Sequence, residues 1–223
     1  MKESVLRIIN INQSSFTSQQ AVSRKYPKEA LAAVLNEETG ELMEYRYLIA
    51  DPKYRKIWKP AYGKEVGRLA QGVPGIVEDT NTFIFIYKIE VPSNGWKDVT
   101  YGRICDNYTP EKSDPYHIQL TVGGNLINIL GDCGTPTADM LIVKLLLNST
   151  ILAKGAKFMT IDISNFYLNT PMERPKYMRL KISNMPNKII EQHKLNEKVN
   201  PNGYVYVKIQ KGMYGLRQAG SIA

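Results

Sequence analysis

The sequence predicts an α+β domain, because alternating apolar runs typical of strands are interspersed with runs at helical spacing. Residues 204–210, YVYVKIQ, and residues 177–182, YMRLKI, alternate apolar and polar side chains as half-buried strands do. Between residues 135 and 155, apolar residues recur at the spacing of one helix face: Met140, Val143, Leu147 and Ile151. We therefore expect an antiparallel sheet with helices packed against it.

The first part of the chain is predicted to contain a lead-in and two helices. Residues 1–26 are predicted to be a flexible lead-in, since the stretch NQSSFTSQQAVSR is polar and low in aliphatic residues. A domain follows over residues 27–223. A short helix is expected from Lys28 to Leu35, ended by a Glu-Glu-Thr-Gly turn, and a second helix within Pro52–Leu69.

The middle of the chain is predicted to contain strands and a hairpin. Residues 82–89, TFIFIYKI, are rich in β-branched and aromatic residues, which favours a strand, with residues 101–106 as its partner. Residues 118–122 and 126–130 flank Gly123-Gly124, a pair able to adopt the positive φ angles of a tight hairpin turn.

The run from residue 135 to residue 155 is the strongest helix prediction. Thr135 or Thr137 is a candidate N-cap, Asp139 lies in the first turn, and Gly155 ends the helix. We expect its leucines to pack in the core. A further short helix is predicted to begin after Pro186 and to end near His193.

The composition of the chain favours some classes of protein and argues against others. A net charge of +8, from 29 Lys and Arg against 21 Asp and Glu, favours a polyanionic partner, although a solvated helix face explains the basic cluster of residues 53–68 equally well. Two cysteines without a CxxC pattern argue against a disulfide framework and against zinc. No signal-peptide pattern and no run approaching about 18 apolar residues is present. We expect an intracellular protein, cytoplasmic or nuclear, that is not secreted and does not bind a membrane.

Residues 158–172, FMTIDISNFYLNTPM, contain the main candidate for chemistry. If residues 158–163 form a strand, Met159, Ile161 and Ile163 face a core, while Thr160 and Asp162 share the opposite face. Asp162 then stands over a cleft as a candidate metal ligand. The alternative is that Asp162 caps a turn after a buried strand.

A second motif, YGLRQAG at residues 214–220, follows the strand predicted over residues 204–210. Together with the Asp162 segment it resembles the palm motifs of reverse transcriptases of the copia type. The resemblance extends to four more segments: GRLAQG (67–72), KDVTYGRICDNYTPEK (97–112), LTVGGNL (120–126) and GTPTADMLIVKLLLNS (134–149). It covers about 150 residues, roughly 67–219. It implies an incomplete right-hand polymerase domain, with fingers and the first part of the palm.

The chain also departs from this family. The family carries a Tyr-x-Asp-Asp element downstream of the Gln-Ala loop, and no adjacent pair of aspartates occurs in this sequence. Thumb, connection and RNase H regions are likewise missing, so the resemblance implies a fragment that is inactive alone. Its complete form would be an RNA-directed DNA polymerase of a retrotransposon. The alternatives are a non-catalytic nucleic-acid-binding remnant of that domain and a generic α+β interaction domain.

The resemblance implies two-metal phosphoryl transfer with Mg²⁺. Asp162 matches the family's first catalytic aspartate, and the backbone carbonyl of Ile163 matches a second metal ligand. Tyr167 matches the aromatic residue that lies under the incoming sugar and excludes a 2′-hydroxyl. The alternative for Tyr167 is a core aromatic, and Phe166 is the second candidate for the sugar gate.

Further nucleotide contacts are implied in the same way. Gln218 matches the Gln-Ala loop, Arg217 beside it is a candidate phosphate ligand, and Arg103 and Lys97 are candidate triphosphate ligands on the fingers. All four are open to the simpler interpretation of exposed or solvated side chains. The family commonly continues with proline after Gln-Ala, where this chain has Gly220.

The partners that the resemblance implies are a dNTP, an RNA template, an RNA–DNA duplex and the remainder of the polyprotein, which comprises integrase, the rest of the reverse transcriptase and RNase H.

An aspartate and two histidines are predicted to take no part in catalysis. Asp106 is expected to be structural, and His117 and His193, which have no ligand-spaced neighbours, are expected at the surface.

Overall fold

The computed structural model describes residues 33–35, 40–127, 138–161 and 163–222. These residues divide into two compact units. The larger unit comprises residues 33–35, 40–127 and 165–222, and the smaller unit comprises residues 138–161 with 163 and 164. Both contain helices and the larger contains the sheets, so the predicted α+β class is confirmed. The predicted lead-in over residues 1–26 lies outside the described residues.

The larger unit contains strands, α-helices and short 3-10 turns. In chain order its strands and α-helices are β1 (Val34–Leu35), β2 (Leu42–Met43), α1 (Tyr45–Ala50), α2 (Pro52–Leu69), β3 (Phe83–Ile86), β4 (Thr100–Tyr108) and β5 (Tyr116–Val122). After the smaller unit, which contains α3 (Met140–Leu152), they continue as α4 (Phe166–Asn169), β6 (Pro171–Lys181), α5 (Asn187–Gln192), α6 (Leu195–Lys198), β7 (Tyr204–Lys211) and α7 (Ala219–Ile222).

A five-stranded sheet organises the larger unit, in the order β3-β7-β6-β4-β5. Its neighbours are antiparallel except β4 and β6, which pair in parallel at Thr100 and Tyr101. The strands predicted from alternation are confirmed, because residues 204–210 fall within β7 and residues 177–181 within β6. Their apolar positions are buried: Val205, Val207, Ile209, Met178 and Leu180.

Helix α2 covers one face of this sheet. It begins at Asp51, whose side chain accepts a hydrogen bond from the Lys53 amide at 2.8 Å, and Pro52 occupies its first turn. The predicted helix within Pro52–Leu69 is thus confirmed. Its buried positions recur at helical spacing: Trp58, Tyr62, Val66 and Leu69. The aromatic and aliphatic side chains of α2 therefore form the core with the inner face of the sheet.

The basic cluster on α2 is only partly a solvated face. Arg55 donates hydrogen bonds to the carbonyl oxygens of Ile49 and Ala50 at 2.6 and 2.8 Å, which satisfies the end of α1. Lys64 forms an ion pair with Asp114. These two cations are therefore occupied by contacts within the chain.

The predicted pairing of the strands was wrong at two places. Strand β3 pairs with β7, and the strand predicted as its partner, residues 101–106, lies in β4 and pairs with β5 and β6. The hairpin is formed by β4 and β5, with its turn at residues 109–115. Gly123 has a φ of −71° and leads into a 3-10 turn, so the pair Gly123-Gly124 is not the hairpin turn. Alternation shows that a segment is extended, but the choice of partner depends on distant residues.

The predicted short helices had different outcomes. The helix expected over Lys28–Leu35 was wrong at its end, because Val34 and Leu35 form β1 and pair with β2, while residues 28–32 lie outside the described residues. The helix expected after Pro186 is confirmed as α5, which ends at Gln192.

The smaller unit contains α3 and an irregular segment. The Asp139 side chain caps α3 by accepting from the Leu141 amide at 2.7 Å, and Gly155 has a φ of +81° beyond its end. The cap was predicted at Thr135 or Thr137, which lie outside the described residues, whereas Asp139 was expected one step later, in the first turn. The expectation that the leucines pack in a core was wrong, since none of the residues of α3 is buried. Apolar side chains lie on all sides of α3, and within this unit no described element covers them.

The segment around Asp162 differs from the prediction. Residues 158–161 and 163 form no strand, and Met159, Ile161 and Ile163 are exposed where they were expected in a core. Alternation of side chains yields a strand only where a neighbour offers a hydrogen-bonding ladder, and no described strand pairs with this segment. Asp162 itself lies outside the described residues.

No helix among the described residues has the length and apolar content needed to cross a membrane.

Asp106 has the structural role that the sequence predicted. It lies on β4 with 1% of its surface exposed, and its Oδ1 accepts a hydrogen bond from the Tyr45 amide at the start of α1 at 3.2 Å. Its Oδ2 has no hydrogen-bond partner in the described chain. Burial raises the pKa of the Asp106 carboxyl to about 7, from an ordinary value of 3.8.

We expect this carboxyl to make the stability of the fold depend on pH. Because its pKa is higher in the folded chain than in the unfolded chain, its contribution is fully present below about pH 4 and is lost as the pH rises through about 7. The scale is about 1.4 kcal/mol for each unit of pKa shift. Urea unfolding of the wild type and of D106N from pH 4 to 8 measures it, since asparagine keeps the acceptor for Tyr45 without titrating.

The matched control is D114N, which removes a partly exposed aspartate whose pKa is lowered, first of all, by its hydrogen bond to Lys64. It should leave the decline in stability between pH 4 and 8 intact. A D106N variant that declines as steeply as the wild type would contradict this role for Asp106.

Candidate functional site

The candidate site is built around a short turn that carries Tyr167. Asn165 adopts a left-handed conformation with φ 57° and leads into α4. We call residues 165–170 the Tyr167 turn. Its second half is held by two hydrogen bonds, because the Leu168 carbonyl accepts from the Thr82 hydroxyl at 3.4 Å and the Thr170 carbonyl accepts from the Gly212 amide at 2.8 Å. Leu168 is fully buried and anchors the turn in the core.

Tyr167 contacts the second motif directly. Its ring meets the ring of Tyr214 edge to face, with centroids 5.8 Å apart and planes at 81°. The Tyr167 ring is half-buried against the main core, whereas Phe166 is 42% exposed. The structure therefore brings together two segments that are far apart in the sequence.

The loop of residues 214–220 lies on the end of β5. The Tyr214 carbonyl accepts a hydrogen bond from the Val122 amide at 2.8 Å. Gly215 has a φ of +91°, and a Cβ atom on Gly124 would lie 2.0 Å from the Gly215 carbonyl oxygen. Only glycine allows the two backbones to approach so closely. Gly124 of LTVGG and Gly215 of YGLRQAG are thus both required by one contact between their backbones.

The predicted residues on this loop have different environments. Arg217 is exposed, and its amide nitrogen lies 3.6 Å from the Cβ position of Gly124. Gln218 is half-buried, between the buried residues Leu216 and Ala219. The loop therefore presents Arg217 to solvent while its apolar residues hold it against the core.

Arg103 lies on β4 beside this loop. It is exposed and stands opposite Thr121 in the β4–β5 ladder. The next pair in the ladder is Gly102 with Val122, the residue that binds the Tyr214 carbonyl. Arg103 and the loop thus border the same end of the β4–β5 pair, and both present an arginine to solvent.

Lys97 lies elsewhere. It is exposed on a 3-10 turn, Ser93–Asp98, that packs over the opposite face of the sheet. Its neighbour Trp96 contacts the Tyr206 ring with centroids 5.6 Å apart, and Asp98 lies 3.8 Å from the Lys176 ammonium. These contacts attach the Lys97 turn to β6 and β7 and do not link it to the 214–220 loop.

The predicted metal ligands are not among the residues brought together in the larger unit. Ile163 lies in the smaller unit, and Asp162 is outside the described residues. Within the described ranges, no group of three histidine, cysteine or carboxylate side chains could hold a metal ion. The described part of the site therefore consists of aromatic rings, arginines and a glutamine.

A buried ion pair that was not predicted from the sequence lies beside the Tyr167 turn. Glu65 is 6% exposed, and its Oε2 accepts from Nε and Nη2 of Arg68 at 2.9 and 2.7 Å. Its Oε1 accepts from the Leu120 amide of β5 at 3.1 Å. The remaining nitrogen of Arg68, Nη1, donates to the Asn165 side-chain oxygen at 2.6 Å. One signal was present, because Glu65 falls on the buried face of α2 and Arg68 follows at i+3.

Burial changes the pKa of the acidic partner in this ion pair. It raises the pKa of the Glu65 carboxyl, while Arg68 and the Leu120 amide act in the opposite direction. The histidines were expected at the surface, and this was wrong, because both are half-buried with a buried Nε2, and the His193 ring lies on Phe85 with centroids 4.8 Å apart. Burial, followed by the charge of Lys198, lowers the pKa of His193.

The close contact between Gly124 and Gly215 predicts an intolerance to any side chain. G124A places a methyl group against a backbone carbonyl that cannot rotate away, so we expect a loss of about 3 kcal/mol in the free energy of unfolding in urea, the upper end for overpacking. The control is G203A, which meets no atom within 4 Å but has a φ of +78° and should lose about 1 kcal/mol from backbone strain alone. Equal losses in the two variants would show that the contact is not tight.

Comparison of the chain with models of known protein families, with curated proteins and with solved structures found no match. The likeness to reverse transcriptases of the copia type therefore depends on the motifs themselves. The contacts between those motifs are the structural evidence that bears on function.

Proposed function

We propose that this chain is the fingers and first part of the palm of a retrotransposon reverse transcriptase that resembles the copia type. In its complete form the enzyme is an RNA-directed DNA polymerase. The chain binds an RNA–DNA duplex and takes part in binding a dNTP. Without a paired-aspartate element, which the sequence lacks, it does not polymerise DNA by itself.

One observation carries this proposal, namely the ring contact between Tyr167 and Tyr214. It joins the segment that follows Asp162 to the YGLRQAG loop. The two segments resemble polymerase motifs that act on one nucleotide, and a coincidental resemblance gives no reason for them to touch. The adjoining glycine contact with β5 adds a third segment of the resemblance, LTVGGNL, at the same place.

Different side chains are suited to bind different parts of a nucleotide, namely its sugar and its phosphates. Tyr167 is a flat, half-buried ring suited to lie under a deoxyribose and to exclude a 2′-hydroxyl. Arg103 and Arg217 are exposed cations suited to phosphate oxygens. Gln218 lies next to Arg217 on the same loop and is suited to hydrogen-bond the sugar or base of the nucleotide. Lys97 has no place in this proposal, because its turn is attached to β6 and β7 and is not linked to the 214–220 loop.

The metal part of the proposal is assigned to Asp162 and to the carbonyl of Ile163. Two Mg²⁺ ions bound in the complete enzyme would supply the charge stabilisation for phosphoryl transfer. Among the described residues, no three side chains form a metal site. The residues of this chain bind and orient the nucleotide.

Sugar selectivity tests the role of Tyr167. In a chain extended to include a Tyr-x-Asp-Asp hairpin, Y167V should raise the incorporation of ribonucleotides relative to deoxyribonucleotides by about 100-fold, because the ring no longer meets the 2′-hydroxyl. Primer extension with matched dNTP and rNTP pairs measures it. The 223-residue chain itself should give no extension.

The matched control is F166V, the adjacent ring. Because Phe166 is exposed and Tyr167 packs against Tyr214, F166V should leave the sugar selectivity unchanged. If F166V and not Y167V admits ribonucleotides, the gate is Phe166. If neither variant changes the selectivity, this turn has no role in sugar recognition.

A non-catalytic nucleic-acid-binding remnant is the second candidate, favoured by the absence of paired aspartates and by the net charge of +8. Both candidates predict that Arg103 and Arg217 contact phosphates. In gel shifts with RNA–DNA hybrid, the R103A/R217A double variant of the 223-residue chain should bind more weakly. Its salt dependence should fall by about 1.8 in the slope of log K against log salt, from two lost phosphate contacts.

The control is K56A/K188A, which removes the same charge from two exposed lysines on α2 and α5. It should retain the slope of the wild type. An equal loss in both double variants would show attraction by net charge alone. If the wild type does not bind the hybrid at low salt, both candidates are excluded.

A further inference from the structure

The Glu65–Arg68 pair does more than neutralise a buried charge, because it connects three distant segments. Both bonds between the two side chains use Oε2 of Glu65, and Oε1 is bound to the Leu120 amide of β5. Arg68 lies on α2 and its third nitrogen holds the Asn165 side chain. The chain of contacts therefore runs from β5 through α2 to the Tyr167 turn.

We propose that Arg68 is a positioning residue for the nucleotide site, which sets the orientation of the Tyr167 ring by holding Asn165 through Nη1. Glu65 fixes the guanidinium of Arg68, and the Leu120 amide fixes Glu65. The sugar selectivity of Tyr167 depends on this chain of contacts. This inference rests on the proposed function for its nucleotide readout, but the contacts themselves can be tested separately.

The geometry of arginine explains why the contact is directional. A guanidinium group is planar and carries its donors in a rigid fork. When Nε and Nη2 are both bound to one carboxylate, the direction of Nη1 is determined as well. Arg68 is 26% exposed and Glu65 is 6% exposed, so water competes weakly for these bonds. The position of Asn165 is thereby linked to the position of α2.

The Tyr167 turn needs such a contact because it is too short to be stable alone. Helix α4 contains four residues, and a single turn does not form without tertiary contacts. Thr82 and Gly212 hold its second half, at Leu168 and Thr170. Arg68 holds its first residue, Asn165, two positions before Tyr167. Loss of that contact leaves the Tyr167 turn held by hydrogen bonds in its second half only.

The decisive variant is N165G, which isolates one hydrogen bond. Asn165 has a φ of 57°, a conformation that glycine adopts without strain, so N165G keeps the backbone and the Glu65–Arg68 pair but removes the acceptor for Nη1. The matched control is K194G, because Lys194 also has a left-handed φ, of 50°, and lies at the start of α6. Both variants add the same flexibility to the unfolded chain.

The readout is the ratio of the dissociation constants for ATP and dATP, each with Mg²⁺, measured by calorimetry on the 223-residue chain. We expect the wild type and K194G to favour dATP by about tenfold or more, and N165G to lose most of that preference while its affinity for dATP changes by less than about threefold. A purely structural role would weaken both nucleotides together. N165D, which keeps an acceptor oxygen, should restore the preference.

A second measurement separates failure of this inference from failure of the proposed function. The amides of Asn169 and Thr170 donate to the carbonyls of Asn165 and Tyr167, so their hydrogen exchange reports on the Tyr167 turn without any ligand. We expect exchange at these two amides to accelerate about tenfold or more in N165G and in R68K, and not in K194G. Unchanged exchange in N165G overturns the inference.

Together, the two measurements distinguish failure of this inference from failure of the proposed function. If the wild type binds neither nucleotide and exchange still accelerates in N165G, the proposed function fails and the positioning of the turn by Arg68 stands. If the wild type prefers dATP and N165G keeps the same preference, Arg68 does not control the ring, and only the proposed function survives.

Discussion

The buried ion pair between Glu65 and Arg68 is the interaction on which the arrangement of the candidate site depends. Taking two charges out of water is unfavourable, and their attraction compensates for it only when the remaining hydrogen-bonding groups are also satisfied. Here the Leu120 amide donates a hydrogen bond to the second carboxylate oxygen of Glu65, and the Asn165 side-chain oxygen accepts one from the remaining nitrogen of Arg68. A pair of apolar residues of similar size would fill the same space without linking these segments. The pair therefore contributes mainly to specificity, because only one arrangement of α2, β5 and the Tyr167 turn satisfies all of its bonds.

A second constraint, the contact between two glycines, determines where the 214–220 loop lies. Gly124 follows β5 and Gly215 lies one residue after Tyr214, and their backbones approach too closely for any side chain. The Val122 amide, at the end of the same strand, binds the Tyr214 carbonyl. The loop is thus held by its backbone while the ring of Tyr214 is left to meet Tyr167. Both constraints end at β5, so displacement of this strand would disturb the two motifs together.

The elements that depend on local periodicity could be predicted from the sequence, and those that depend on distant partners could not. Helix α2 and strands β6 and β7 follow from the spacing of their buried residues, since burial of one face requires that spacing. The pairing of β3 with β7 crosses more than a hundred residues, and nothing within residues 82–89 specifies it. Residues 158–161 and 163 alternate like a strand but have no described partner strand, so their side chains are exposed. In the candidate site, Tyr167, Gln218 and Arg103 were identified by their motifs, whereas Asn165 was not, because its role requires an arginine from another helix.

The two interpretations of Tyr167, a core aromatic and a sugar gate, are compatible in this structure. A ring that excludes a hydroxyl group must not move aside when the hydroxyl arrives, so it has to be packed on one side. Tyr167 packs against the core and against Tyr214, and the residue after it, Leu168, is fully buried. Phe166 is exposed and has its described ring contact only with Tyr167, so it lacks the packing that a gate requires. The burial that made Tyr167 look like an ordinary core residue is therefore the property that suits it to discriminate between two sugars.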